Sequence, residues 1–114
     1  MVVKAEQKIL TPAEVRGAVR ALRRKLETER LPVREVSIFG SYARGKAHRD
    51  SDVDVAIVFS SMLSSRAQKK IRHIPWWAKQ IHVKLEPHIL SARDLLNPWL
   101  SLPSEVRKHG IRVK

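Results

Sequence analysis

The chain has 114 residues, of which 43% are hydrophobic, enough for one globular domain with a modest core and too many for a disordered segment. Lys and Arg total 23 against 11 acidic residues, giving a net charge of +12 and a pI near 11.0; such a field favours polyanions (nucleotides, RNA or an acidic protein) and also serves plain solubility. No cysteine is present, which excludes disulfides and thiolate metal sites and fits a reducing cytoplasm, while the absence of a signal-like start or of ~20 consecutive apolar residues argues against secretion and a membrane helix.

Residues 1–10 read as an N-terminal extension of a single domain spanning 1–114. Thr11-Pro12-Ala13-Glu14 has the form of a helix start, with Thr11 as N-cap, Pro12 in the first turn and Glu14 closing a capping box. Val15, Ala18, Val19, Leu22 and Leu26 follow at helical spacing. The other face carries Arg16, Arg20, Arg23 and Arg24, which suits either a solvated surface or contact with nucleic acid or a partner. Pro32 is expected to stop this helix, and Val33–Phe39 to form the first strand.

Gly40 comes next. Lacking a Cβ, it permits positive φ and close approach of backbone to a ligand. Ser41 is expected to start a short helix whose free N–H groups, with its hydroxyl, favour a phosphate. Arg44 can offer the same anion a planar fork of donors. Taken alone, Gly40-Ser41 reads more readily as a turn between strands. After ten intervening residues stand Asp52 and Asp54, followed by Val55–Phe59. The β-branched residues around them predict a strand, on which side chains two apart share a face. Two adjacent carboxylates repel unless a cation lies between them, and Mg²⁺ is held by one or two carboxylates plus substrate phosphates. The plain alternative is an acidic turn entering an edge strand.

Ser60-Ser61 mark a turn. Residues 64–79 read as a helix or broken helix that Pro75 kinks or ends. Trp76 and Trp77 are expected in the core, with anchoring of a partner as the alternative. Residues 81–90 predict a third strand, Val83, Leu85 and Ile89 facing the core and His82, Lys84, Glu86 and His88 facing the site or solvent. The two histidines read as surface residues, since hard Mg²⁺ prefers oxygen. Ser91 caps a further helix ended by Pro98-Trp99. Residues 104–114 predict one more short helix, a stop at Gly110 and an extended segment over 111–113.

The strings GSYARG (40–45) and SDVDVAIVF (51–59) resemble the signature of the polymerase-β-like nucleotidyltransferase superfamily, and in particular its minimal nucleotidyltransferases (MNT). The likeness is tight over 36–59 and looser elsewhere. It implies an α/β fold, a small mixed twisted sheet backed by helices. It also implies transfer of a nucleoside monophosphate from an NTP, here ATP, to a hydroxyl. On this resemblance Asp52 and Asp54 bind two Mg²⁺ ions, Glu86 is the third carboxylate and a possible base, Gly40 and Ser41 hold the β- and γ-phosphates, and Arg44 steadies the leaving pyrophosphate. An exposed Glu86 paired with Lys84 is the alternative for that residue. The chain is too short for the extra acceptor-binding domain of larger relatives, so a partner is expected to supply the acceptor and to form an oligomer with it. Resembling MNT proteins are antitoxins that add AMP to a tyrosine of a HEPN ribonuclease toxin. A binding-only antitoxin and an RNA-directed transferase are the competing expectations.

Overall fold

The computed structural model describes residues 8–114; residues 1–7 of the expected extension lie outside it. The remainder of that extension belongs to the domain: Leu10 is buried in the core and its N–H donates to the Tyr42 hydroxyl at 3.1 Å.

Helix α1 (Pro12–Thr28) begins as its sequence dictates. The Glu14 N–H donates to Thr11 Oγ1 at 3.1 Å, and the Thr11 N–H donates to Glu14 Oε1 at 3.0 Å, so two otherwise orphaned donors are satisfied. Those bonds, chiefly the one from the Thr11 N–H, together with nearby Lys8, hold the Glu14 carboxyl below its ordinary pKa. Val15, Val19, Leu22 and Leu26 are buried along one stripe, each contributing ~1.5–3 kcal/mol of transfer free energy. The helix ends before Pro32, by a different device. Arg30 takes a left-handed φ of 59°, its N–H donates to the Glu27 carbonyl, and the Leu31 N–H donates to the Leu26 carbonyl. This pair of bonds is a Schellman motif, with an arginine where glycine is usual.

Strands β1 (Val33–Phe39) and β2 (Val53–Phe59) are antiparallel. Strand β3 (Leu85–Ser91) lies parallel to β2, and the short β4 (Ile111–Arg112) pairs antiparallel with β1. The sheet order is therefore β3-β2-β1-β4. The alternation of side chains makes two cores. Val36, Ile38, Val53, Val55, Ile57 and Leu85 face α1 and α3 (Ile74–Ile81). Phe39, Ala56, Val58 and Leu90 face Val106 of α5 (Ser101–His109) and the short α4 (Ala92–Leu95). The molecule is a mixed sheet between two helical layers, as the resemblance implied.

Several local expectations are corrected. The segment after Gly40 is a run of turns rather than a helix begun by Ser41; single bonds from Arg44 N–H to the Gly40 carbonyl and from Lys46 N–H to the Ser41 carbonyl bend the chain without propagating. The helical stretch 64–79 is two helices, α2 (Ser65–Ile71) and α3, and Pro75 sits in the first turn of α3, where its missing N–H costs nothing. Trp77 packs against the core while Trp76 is 64% exposed. Strand β3 starts at Leu85, not at 81: Ile81 still belongs to α3, Val83 is exposed and Lys84 is buried. Helix α4 ends at Leu95, well before Pro98, and α5 starts at Ser101, before the expected 104. Among the described residues no helix is long and apolar enough to cross a membrane.

Candidate active site

The three strand ends that meet at one end of the sheet bring Gly40, Asp54 and Glu86 together. Phe39, the last residue of β1, pairs with Asp54, the second of β2. Asp54 in turn pairs with Glu86, the second of β3. Because register partners project from the same face, Asp54 and Glu86 are side by side on the layer that holds Phe39. Gly40 leaves β1 with φ of 72°. A Cβ built there would collide with Oδ2 of Asp54. The glycine is thus required twice over, by its backbone angle and by the carboxylate seated against it. Asp52 lies exposed two residues ahead of Asp54, just outside the strand.

The turn that delivers Asp52 is held from beneath. The His48 N–H donates to Ser51 Oγ at 2.9 Å, and the Ser51 N–H returns a bond to the His48 carbonyl. The Lys84 side chain, only 6% exposed, donates its ammonium to the carbonyls of Arg49 and Ser51. The Lys84 carbonyl accepts from the Val53 N–H at 2.8 Å. One residue therefore clasps both sides of Asp52. Alternation had placed Lys84 on the face toward the site or solvent; its role follows from β3 starting only at Leu85, which no local pattern announces.

His88 is the other residue that sequence reasoning set aside. Its Nε2 lies 3.2 Å from Asp54 Oδ1, and its ring meets Phe39 edge-to-face with centroids 5.1 Å apart. Glu86 and His88 share a face of β3, so the signal was the two-residue period itself. His82 is not in the site; its Nδ1 accepts from the Lys84 N–H. Glu86 is half exposed and pairs with Lys79 Nζ at 3.4 Å, not with Lys84. Arg44 stands on the turn after Gly40, and its guanidinium pairs with Glu105 of α5 at 3.6 Å.

As the side chains stand, the described residues contain no group of three or more metal-type donors gathered on one point. The available donors are nevertheless of the right chemistry. Asp52 and Asp54 supply hard carboxylate oxygens, Glu86 flanks them, and a magnesium-nucleotide needs only one or two protein carboxylates because phosphates complete its shell. The arrangement sets the turn after Gly40 against the Asp54 carboxylate across two adjoining strands, with Asp52 on the loop that enters the second.

A site of this kind on this sheet defines a nucleotidyltransferase, and residues 19–108 match the family described as "Nucleotidyltransferase domain". The chain belongs to that family. Among curated relatives it is 43% identical over 56 residues to the protein adenylyltransferase MntA of Thermococcus cleftensis, a match covering 49% of this chain and 56% of that protein. The chain thus aligns with just over half of that relative's length. It is 23% identical over 90 residues, 79% of this chain and 87% of the relative, to a putative protein adenylyltransferase of Methanocaldococcus jannaschii. Among solved structures it resembles a chain of a toxin-antitoxin complex with AMP-PNP, with a TM-score of 0.55, 21% identity, and coverage of 85% of this chain and 70% of the other. It also resembles a chain from the complex of tri-AMPylated Shewanella oneidensis HEPN toxin with MNT antitoxin, at a TM-score of 0.51, 15% identity, and 86% and 70% coverage. These structural likenesses establish the fold.

Proposed function

We propose that the protein is a Mg²⁺-dependent adenylyltransferase that moves AMP from ATP to a hydroxyl of a partner protein, a tyrosine of a HEPN-type toxin, and so acts as the antitoxin of the pair. The observation that carries this reading is the seating of Gly40 against the Asp54 carboxylate, with Glu86 in register beside it. The similarity to proteins named adenylyltransferases, and to chains from toxin-antitoxin complexes, supports the choice of acceptor.

In this reading Asp52 and Asp54 hold magnesium, with Glu86 turning from Lys79 to join them. Bound magnesium neutralises the triphosphate and makes the attacking hydroxyl more acidic. Gly40 and Ser41 offer backbone donors and a hydroxyl to the β- and γ-phosphates. Arg44 exchanges Glu105 for the pyrophosphate and stabilises the charge that develops there. The acceptor oxygen bonds to the α-phosphorus, the α–β phosphoanhydride breaks, pyrophosphate leaves, and a carboxylate, Glu86, takes the hydroxyl proton. The clasp of Lys84 keeps Asp52 in place throughout.

Incubation with α-labelled ATP, Mg²⁺ and the co-expressed toxin tests the proposal. Label is expected on the toxin, and Asp54→Ala is expected to lower transfer by at least ~10³-fold. A fully active Asp54→Ala protein sinks the metal assignment. A tight complex without label favours neutralisation by binding alone. The +12 charge gives a specific reason to offer RNA as well; labelled, elongated RNA in place of labelled toxin would replace this reading with an RNA-directed one.

A further inference from the structure

Away from the carboxylates, the outer surface of α1 and α3 carries a second constellation. These helices pack on the sheet face opposite Asp54 and His88. Between them lies a cleft of about 400 Å³ lined by Ala21, Arg24, Lys25, Trp76, Trp77 and Gln80, among others. The two tryptophans have different duties. Trp77 is packed against the core, with Lys25 Nζ 5.0 Å from its ring and His73 stacked at 6.0 Å. Trp76 is 64% exposed, and the catalytic reading makes no use of it.

The charges beside it are equally unspent. Arg24 lines the cleft and Arg20 stands one turn earlier on α1, about 6 Å away along the axis; both are exposed. Among the described residues these two form no ion pair, whereas Arg23, Lys25, Lys70 and Lys79 are each paired with a glutamate. Two guanidinium groups with no carboxylate partner among the described residues thus stand beside a cleft edged by an exposed indole.

From this arrangement we infer that the α1–α3 face binds single-stranded nucleic acid, with a base stacked on Trp76 and phosphates on Arg24 and, one turn earlier on α1, Arg20. Single strands expose both features that the surface matches, a flat π-face and regularly spaced anions. An acidic peptide offers the charge without the flat face, and a duplex hides its bases within the stack. The inference is independent of adenylyl transfer: the nucleic acid here is a ligand behind the sheet, not an acceptor.

The full-length protein is titrated with a fluorescently labelled oligouridylate of ~12 nucleotides at several salt concentrations, and with the same sequence as a duplex. Binding is expected for the single strand, with quenching of tryptophan emission. Its logarithmic salt slope should be about −1.4, for two phosphates neutralised. Trp76→Ala should weaken it roughly 5- to 150-fold. Arg20→Ala with Arg24→Ala should reduce the slope by about 1.4. Both variants alter exposed side chains, and unchanged circular dichroism and melting will show that each is folded. Absence of binding at low salt overturns the inference. So does a Trp76→Ala variant of undiminished affinity, or a duplex bound as tightly as the single strand. Loss of the toxin complex in Trp76→Ala with RNA affinity intact would assign the face to a protein instead.

Discussion

The two glycines of the turn after β1 separate backbone strain from site geometry. Gly40 and Gly45 have nearly the same positive φ, 72° and 67°, so an alanine at either costs about 1–2 kcal/mol in backbone strain alone. Their surroundings differ. A Cβ at Gly45 meets nothing within 4 Å, whereas one at Gly40 strikes the Asp54 carboxylate. Gly45→Ala is therefore expected to lose stability in urea while keeping its ATP affinity. Gly40→Ala should lose a comparable or larger amount and, by displacing Asp54, weaken Mg-ATP binding at least tenfold in calorimetric titration. Equal nucleotide affinity in the two variants would remove Asp54 from the nucleotide site. Lys84→Met is a third case: it leaves the Arg49 and Ser51 carbonyls without their donor, a cost of ~1–3 kcal/mol measurable by denaturant unfolding. At this scale the sequence was legible wherever one residue type serves one need. Gly40 could be named because positive φ with a carboxylate seated against it leaves little but glycine; Asp52 and Asp54 could be picked out as candidates because paired oxygens have few substitutes. His88 could not, because the argument against it concerned metal preference, while its observed partner is the Asp54 carboxylate. Nor could Lys84, whose partners are carbonyls from a turn 33 and 35 residues away.

Among the elements, caps and periodicity were informative and boundaries between unlike elements were not. The α1 start was readable because Thr11, Pro12 and Glu14 satisfy one another within four residues. Its end was misassigned to Pro32 because the stop is conformational, a left-handed Arg30, which favours glycine and leaves no mark when arginine occupies it. Residues 81–85 could alternate as a strand, yet the last turn of α3 extends through Ile81 and the His82 N–H still donates to the Ala78 carbonyl; tertiary packing of Ile74 and Ala78 outweighed local alternation. The α1 cap also gives a pH test. The Glu14 carboxyl is held below its ordinary 4.5 by bonds made only in the folded state. A depressed pKa means that the folded form binds the proton less readily, so this stabilisation is complete above the unfolded pKa and is lost as pH falls through the folded one. Melting temperatures of the native protein and Glu14→Gln should thus differ at pH 7 and draw together as pH falls below the ordinary 4.5. Thr11→Ala, which removes the other half of the box, is expected to cost ~1 kcal/mol at neutral pH. A constant gap between the Glu14→Gln and native melting curves from pH 7 to 3 would refute this account of the cap.

At the scale of the molecule, the mixed sheet could be expected from the resemblance, but the pairing that completes it could not. The C-terminal stretch looked like a short extended tail, and its four residues carry no strand period long enough to specify a partner. In the fold, β4 closes the free edge of β1. Val113, just beyond β4, is 2% exposed in the main core, its N–H donates to the Val36 carbonyl at 2.8 Å, and its carbonyl accepts from Arg23 at 3.3 Å. Arg112 pairs with Glu35 at 2.8 Å. Helix α5 links this edge to the site, since Glu105 near its middle holds Arg44. Removing residues 111–114 should therefore do more than trim an end. It loses ~1.5–3 kcal/mol of buried valine, leaves the backbone of β1 unpaired, and loosens the helix that sets the resting position of Arg44. A fall in melting temperature of roughly 10 °C is expected, together with self-association through the bared β1 edge at higher protein concentration. Lys114→Ala, which keeps the pairing and Val113, should melt with the native protein. If the truncated chain melts with it as well and stays monodisperse, β4 is not part of the folded sheet, and the coupling of that edge to Arg44 falls with it.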